Sequence, residues 1–516
     1  MKRILYHLEL TAMKTCIFCI SFLLLYPFIS FSQNKAYSDQ HRPQFHFSPP
    51  AHWMNDPNGM VYYKGEYHLF YQYYPDSTVW GPMHWGHAVS KDLIHWQQLP
   101  IALYPDSLGY IFSGSVVVDK NNTTGFQKGT ESPLVAIYTY HNMTGEKSGR
   151  IDFQTQGIAY SIDKGRTWKK YANNPVIKNP GTKDFRDPKV MWHEPSKHWV
   201  MTMAAGNEIR FYRSTDLKKW EQSGSFGKDE GSHGGVWECP DLFEMKTGKS
   251  NESKWVLLVS IGSGAPNGGS GTQYFTGNFD GKTFTNENPK QTLLWLDYGT
   301  DNYAGVTWSN APDNRRLFLG WMSNWQYAQN VPTKAWRSAM TLPRELSLRE
   351  TIKGYRLFTV PAKEANTLRI NSSGKQFTSN KSYPISLSEI QLEYDLEKDG
   401  SNDFGIELLN NKNESLRIGF DKQKNEFYID RTHFSGMSFS KAFPGIHIAP
   451  RLSESKKLTL HLFIDHSSVE LLADNGTVVM TDIFFPSEDF NKLQSFEKNG
   501  VSLLTKGTLY ELKSIW

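Results

Sequence analysis

Cysteine is scarce: three in 516 residues, at positions 16, 19 and 239. Cys16 and Cys19 fall in an apolar N-terminal run, so beyond that run only Cys239 remains and no internal disulfide can form. Such a chain is held by its core, which this length can build. An excess of one charge is also lacking. Lys and Arg number 56 against 52 Asp and Glu, a net of +4, and no long basic block points to nucleic acid. No second long apolar run follows the N-terminal one, so no membrane span is expected in the mature chain. Helical periodicity and low-complexity segments are nearly absent. There is no Gly-x-Ser-x-Gly. The Gly-rich stretch IGSGAPNGGSGTQYF (261–275) lacks the Lys-Ser/Thr of a phosphate loop and reads as a flexible loop beside a site. His84 and His87 have metal-compatible spacing but no partner pair, so neither metal nor cofactor is expected.

What is present is aromatic and turn-rich: 16 Trp, 25 Tyr, 31 Phe, 40 Gly and 25 Pro. That suits many short strands, and it suits sugar binding, where aromatic faces stack on C–H faces. The length suggests two domains. Residues 13–31, MKTCIFCISFLLLYPFISF, have a basic start, an apolar run and then a small polar stretch, the pattern of an export signal. We assign 1–33 to that signal with an upstream extension, Met13 being an alternative start, and expect an exported protein. A weak repeat follows: Ser90-x-Asp92…Trp96, Ser161-x-Asp163…Trp168, Ser214-x-Asp216…Trp220 and a fainter Asn278-Phe-Asp280…Phe284. Each copy lies between hairpin-like segments, which suggests propeller blades with these motifs as outer turns. The stretch 342–368 reads as a strand pair and a polar, helix-capable linker. Beyond it, alternating strands and an Asn475-Gly476 turn suggest a β-sandwich.

Three acids have unusual settings: Asp56 in HWMNDPNG, Asp187 in FRDPKV and Glu238 in WECPDLF. A proline follows each directly or after one residue and restricts the local backbone. Asp56 also fits a tight turn, since Asp, Pro, Asn and Gly suit successive turn positions. Asp187 could simply pair with Arg186, and Glu238 could be a satisfied buried acid. Glu194-Pro195 has the same local pattern but reads as a hairpin tip. Acids converging from different blades would explain the set as glycoside cleavage, which needs one carboxylate as nucleophile or base and one as acid.

WMNDPNG, FYQYYP with WGPMHWGHAVSKDLIHW, FSGS, FRDPKV, WECPDLF, LDYGTDNYA and GWMSNW, in that order, make the chain resemble glycoside hydrolase family 32, the invertase, inulinase and levanase group. The resemblance implies an all-β architecture, a five-bladed β-propeller followed by a C-terminal β-sandwich. The corresponding boundaries are 45–350, a linker 351–368, and 369–516. It implies Asp56 as nucleophile, Glu238 as acid/base and Asp187 as the residue that holds fructose hydroxyls. Asn55, Gln72, Trp80, Phe112, Ser113 and Arg186 would line the fructose pocket, with Asp301 and Trp321 contributing. The implied partner is a fructan or sucrose, with no cofactor, and the chain would be a monomer or homodimer. Exo or endo action, hydrolysis or fructosyl transfer, and a non-catalytic sugar-binding propeller remain open on the sequence.

Overall fold

The computed structural model describes residues 37–516 except 250, 251, 436 and 499. The expected export signal, with Cys16 and Cys19, lies outside the described residues. Among the described residues, 37–39 and Trp516 belong to a small terminal unit, in which Tyr37 and Trp516 stack with ring centroids 3.7 Å apart. Everything else described here belongs to Gln40–Ile515.

Five antiparallel sheets follow one another along the chain. The first holds β1 (His52–Tyr63), β2 (Glu66–Tyr74), β3 (His84–Ser90) and β4 (Trp96–Leu103). The second holds β5 (Tyr110–Val118), β6 (Leu134–His141), β7 (Gln154–Ser161) and β8 (Lys169–Lys170). The third holds β9 (Phe185–His193), β10 (His198–Ala205), β11 (Ile209–Ser214) and β12 (Glu221–Phe226). The fourth holds β13 (Trp237–Lys246), β14 (Ser253–Ile261), β15 (Gly271–Phe279) and β16 (Phe284–Asn286). The fifth holds β17 (Tyr303–Thr307), β18 (Arg316–Met322), β20 (Ala339–Met340), β21 (Arg344–Thr351) and β22 (Gly354–Pro361), while the intervening β19 (Trp336–Arg337) crosses back to pair in parallel with β1. The first strands of the sheets touch in a ring, β1 to β5 to β9 to β13 to β17 and back to β1. These are the blades of a five-bladed propeller.

Why the blades stack follows from strand alternation. Successive side chains point to opposite faces, so Val116 enters the core shared with blade one while Val117 enters the core shared with blade three. Leu242 and Phe243 divide in the same way between blades three and five. The repeated Asp motif occupies the turn between the third and fourth strands of blades one to four. Asp92 Oδ1 accepts from the backbone N–H groups of Ile94 and His95 at 3.0 and 2.8 Å, and Asp216 and Asp280 do the same for their own turns. Trp168 then packs edge-on to Phe70 of the neighbouring blade, centroids 5.4 Å apart. These acids are structural, as expected of outer turns.

One boundary moves. The stretch from 351, expected as linker, still belongs to blade five: β21 and β22 pair from Arg344↔Pro361 to Thr351↔Gly354. The connection proper is the short 3-10 turn Lys363–Leu368. After it come two six-stranded sheets facing a core that includes Leu392, Phe404, Ile418, Leu460 and Leu471. The hairpin turn at Asn475-Gly476 is present, with φ of +57° and +84°.

Candidate active site

HWMNDPNG is not a turn. It runs inside β1, the innermost strand of blade one. Its pairing with β2 breaks twice, between Met54 and Pro57 and between Asn58 and Val61. Asp, Pro, Asn and Gly suit such bulges for the reasons they suit turns: Pro57 offers no N–H to the ladder, and Gly59 sits at φ +59°, where a Cβ would come within 2.7 Å of the Phe70 ring.

The same irregularity recurs in all five innermost strands. It brackets Phe112-Ser113 in β5, Asp187-Pro188 in β9, Cys239-Pro240 in β13 and Ala304-Gly305 in β17. Asp187, Cys239 and Ala304 have φ of +62°, +46° and +54°, a region that non-glycine residues rarely adopt. A bulge bends a strand and re-aims one side chain. Five bulges at the same height therefore turn side chains from five blades toward one axis.

There the three acids meet. Asp56 Oδ1 accepts from Asn55 Nδ2 at 3.0 Å, and its Oδ2 accepts from Ser113 Oγ at 3.3 Å. Asp187 Oδ2 accepts the Cys239 N–H at 3.0 Å. The Cys239 Sγ lies 3.7 Å from Asp56 Oδ2 and 3.5 Å from Asp187 Oδ2, so one thiol touches both. Glu238 Oε1 accepts from Arg186 Nε and Nη2 at 3.1 and 2.9 Å. Its Oε2 accepts from the Tyr303 hydroxyl. Arg186 is itself fixed by Asp184 at 2.8 Å.

Burial, reinforced by the charges of Asp187 and Glu238, pushes the Asp56 carboxyl up to about 7. The Asn55 amide opposes this. Burial likewise pushes Asp187 up to about 6; Arg186 opposes and Glu238 adds. Burial first, then the carboxylates, raise the Cys239 thiol and the Tyr303 hydroxyl well above their usual values, so both remain donors. The cluster thus holds a proton near neutrality. That is the condition for one acid to act while another attacks.

A stability consequence follows. Folded Asp56 keeps its proton to about pH 7, whereas in the unfolded chain it loses it near 3.8. Between those values the folded state binds more protons, so this group's contribution falls as pH rises and its full cost is present above about pH 7. Asp56→Asn removes that cost. Its thermal midpoint is expected to match the parent near pH 4 and exceed it by several degrees at pH 7.5. Midpoints that differ equally at both pH values would contradict it.

The expected pocket residues divide into those at the acids and those behind them. Asn55, Ser113 and Arg186 contact the carboxylates directly. Trp80 is half-buried and edge-on to Phe112 at 6.1 Å, and Phe112 stacks on His141 at 4.2 Å. Gln72 is buried and its Nε2 has no acceptor among the described residues. Trp321 is fully buried behind Tyr303, ring centroids 6.3 Å apart, with its indole N–H likewise without an acceptor.

Asp301 requires correction. It is 0 % exposed and ion-paired with Arg431 of the sandwich at 2.7 Å, so it faces the sandwich and not a sugar. Two contributors had no sequence signal as such. Cys239 was visible only as the leftover cysteine, and Tyr303 only as part of LDYGTDNYA. Their contacts depend on blades meeting in space.

Patterns for glycosyl hydrolases family 32 match this chain over nearly its whole described length. The N-terminal domain of that family covers residues 46–361 and the C-terminal domain covers 352–511. A levanase from Bacillus subtilis (strain 168) is 50% identical over 499 residues, spanning 94% of this chain and 72% of the levanase. An extracellular exo-inulinase from Aspergillus awamori is 38% identical, spanning 93% of this chain and 96% of the relative. The crystal structure of exo-inulinase from Aspergillus awamori superposes with a TM-score of 0.86 at 35% identity, covering 93% of this chain and all of the other. A β-fructofuranosidase from Schwanniomyces occidentalis, complexed with fructosyl-erythritol, gives 0.82 at 34% identity over 92% of this chain and 98% of the other.

Proposed function

This chain belongs to glycosyl hydrolase family 32, and on that premise we propose an exported, retaining β-fructosidase that releases fructose from the ends of levan or inulin and also cleaves sucrose. That it is a glycoside hydrolase of β-fructofuranosidase type rests on the family and its levanase and exo-inulinase relatives. The observation that carries the reading of the site is the convergence of Asp56, Asp187 and Glu238 on one bulge ring, with a single thiol touching two of them.

In this reading Asp56 attacks the anomeric carbon of the terminal fructosyl unit, and Glu238 gives its proton to the departing glycosidic oxygen. A fructosyl ester on Asp56 results. Water then attacks that carbon, Glu238 takes the water's proton, and Asp56 leaves as a carboxylate. Asp187 accepts hydrogen bonds from fructose hydroxyls and stabilises the positive charge that develops on the ring. Asp56 holds its proton to about pH 7 in the substrate-free site, so it has to be ionised before it can attack. Asn55 and Ser113 favour this by donating to the Asp56 carboxylate. Gln72 Nε2 and Trp321 Nε1 are buried and without an acceptor among the described residues.

Exo action is supported by the extracellular exo-inulinases among the relatives. Export is supported by the N-terminal pattern and by those same relatives. No helix among the described residues is long and apolar enough to cross a membrane. The test is the product profile from levan and inulin, followed by chromatography from the earliest time points. Fructose alone is expected from the start, and the faster polymer names the preferred linkage. An early ladder of oligosaccharides would overturn exo action, and growing oligomers from sucrose would point to transfer.

A further inference from the structure

One buried arginine of the sandwich joins two segments that lead to the active site. Arg431 lies on the sandwich strand Glu426–His433 and is fully buried. Its Nη1 donates to Asp301 Oδ2 at 2.7 Å and to the Ile483 carbonyl at 2.9 Å. Its Nη2 donates to the Tyr327 hydroxyl at 3.0 Å, and that hydroxyl donates to Asp301 Oδ1 at 2.6 Å. One guanidinium therefore ties together two segments of blade five, 301–303 and 325–327.

Both segments end at the reacting groups. Two residues after Asp301, the Tyr303 hydroxyl donates to Glu238 Oε2. Two residues before Tyr327, Trp325 packs on Trp321 at 4.9 Å and on Trp53 at 5.9 Å. Trp321 packs against Tyr303, and the Trp53 indole N–H donates to Asn55 Oδ1 at 2.7 Å, which orients the amide that holds Asp56. Other bonds attach the same loop to the sandwich independently. Tyr298 N–H donates to the Val479 carbonyl, Asp301 N–H to the Thr481 carbonyl, and Thr300 N–H to Asp482. Loss of the guanidinium thus changes where the loop points more than whether it is attached.

We propose that Arg431 is a positioning residue for the acid/base, acting through the Asp301–Tyr303 segment and Tyr327 to set the Tyr303 hydroxyl against Glu238. The sandwich is then part of the catalytic apparatus without touching sugar. This rests on the assignment of Glu238 as the acid.

The experiment is a double-mutant cycle between Arg431→Met and Tyr303→Phe in the full-length protein, with circular dichroism to confirm folding. Two substrates are compared: sucrose, whose leaving group needs a proton, and an aryl β-fructofuranoside, whose leaving group needs little help. Arg431→Met is expected to lower kcat and kcat/KM on sucrose on the order of tenfold, with KM changed less than twofold, while kcat/KM on the aryl substrate, which reports its first step alone, is little affected. In the Tyr303→Phe background the same change is expected to add less than a factor of two. Equal losses in both backgrounds, or equal losses on both substrates, would overturn the proposal. A buried carboxylate left without its partner can prevent folding. If Arg431→Met does not fold, Tyr327→Phe goes through the same cycle with the same criteria. Glu238→Gln serves as the control: full sucrose hydrolysis by that variant would remove the assignment of the acid, whereas its loss together with an additive cycle would remove only the role of Arg431.

Discussion

Asp56→Asn is expected to lower kcat on sucrose and fructans by a factor on the order of 10⁵ while substrate binding persists. The amide is nearly isosteric, and it can still accept from Ser113 at the position where Asp56 Oδ2 now does. It cannot form the ester. The stability prediction separates this from unfolding, because the same substitution is expected to raise the thermal midpoint at neutral pH. A variant that is more stable and inactive marks a residue kept for chemistry at a cost in stability. A non-catalytic binding propeller makes the opposite prediction: no turnover in the parent protein and unchanged affinity in the variant. Isothermal titration of the variant with a fructo-oligosaccharide, beside turnover of the parent, measures both.

Glu238→Gln is expected to cost between about 10² and 10⁴ in kcat on sucrose. The size of the loss should depend on the leaving group, since the missing function is proton donation. In kcat/KM, which reports the first step, an aryl β-fructofuranoside should lose far less; its kcat falls because the base is missing too, and added azide should restore that turnover by attacking the fructosyl ester without needing a base, giving fructosyl azide. Equal loss on both substrates with no azide rescue would place Glu238 in a binding role. Arg186 and Tyr303 hold this carboxylate from two sides, so parallel measurements on Tyr303→Phe show how much of its effect comes through orientation.

The acids were legible because each stands next to a proline and bulky neighbours, a local signature of fixed backbone. What the signature fixes the backbone into was not legible. Asp-Pro-Asn-Gly satisfies a tight turn and a β-bulge with the same φ requirements, and only the register of β1 on β2 separates them. The blade repeat was readable because the outer turns of blades one, three and four close with the same Asp-to-backbone bonds, and that of blade two with a variant of them. The end of blade five was placed at 350 because the strand pair there continues into a polar stretch; pairing carries the blade to Pro361. Asp301 entered the pocket only through the resemblance, as part of LDYGTDNYA. Its partner, Arg431, lies 130 residues further on, and no local pattern connects them. Tyr303 and Cys239 are the same case: their meaning comes from blades meeting around an axis.

The most direct measurement is to trap the intermediate. Glu238→Gln is mixed with an aryl β-fructofuranoside, quenched in acid within the first turnovers, digested with pepsin and examined by mass spectrometry. One added fructosyl unit is predicted on the peptide carrying Asp56. An adduct on the peptide carrying Asp187, or no adduct while the first fructose released is the inverted anomer, would contradict a retaining mechanism through Asp56.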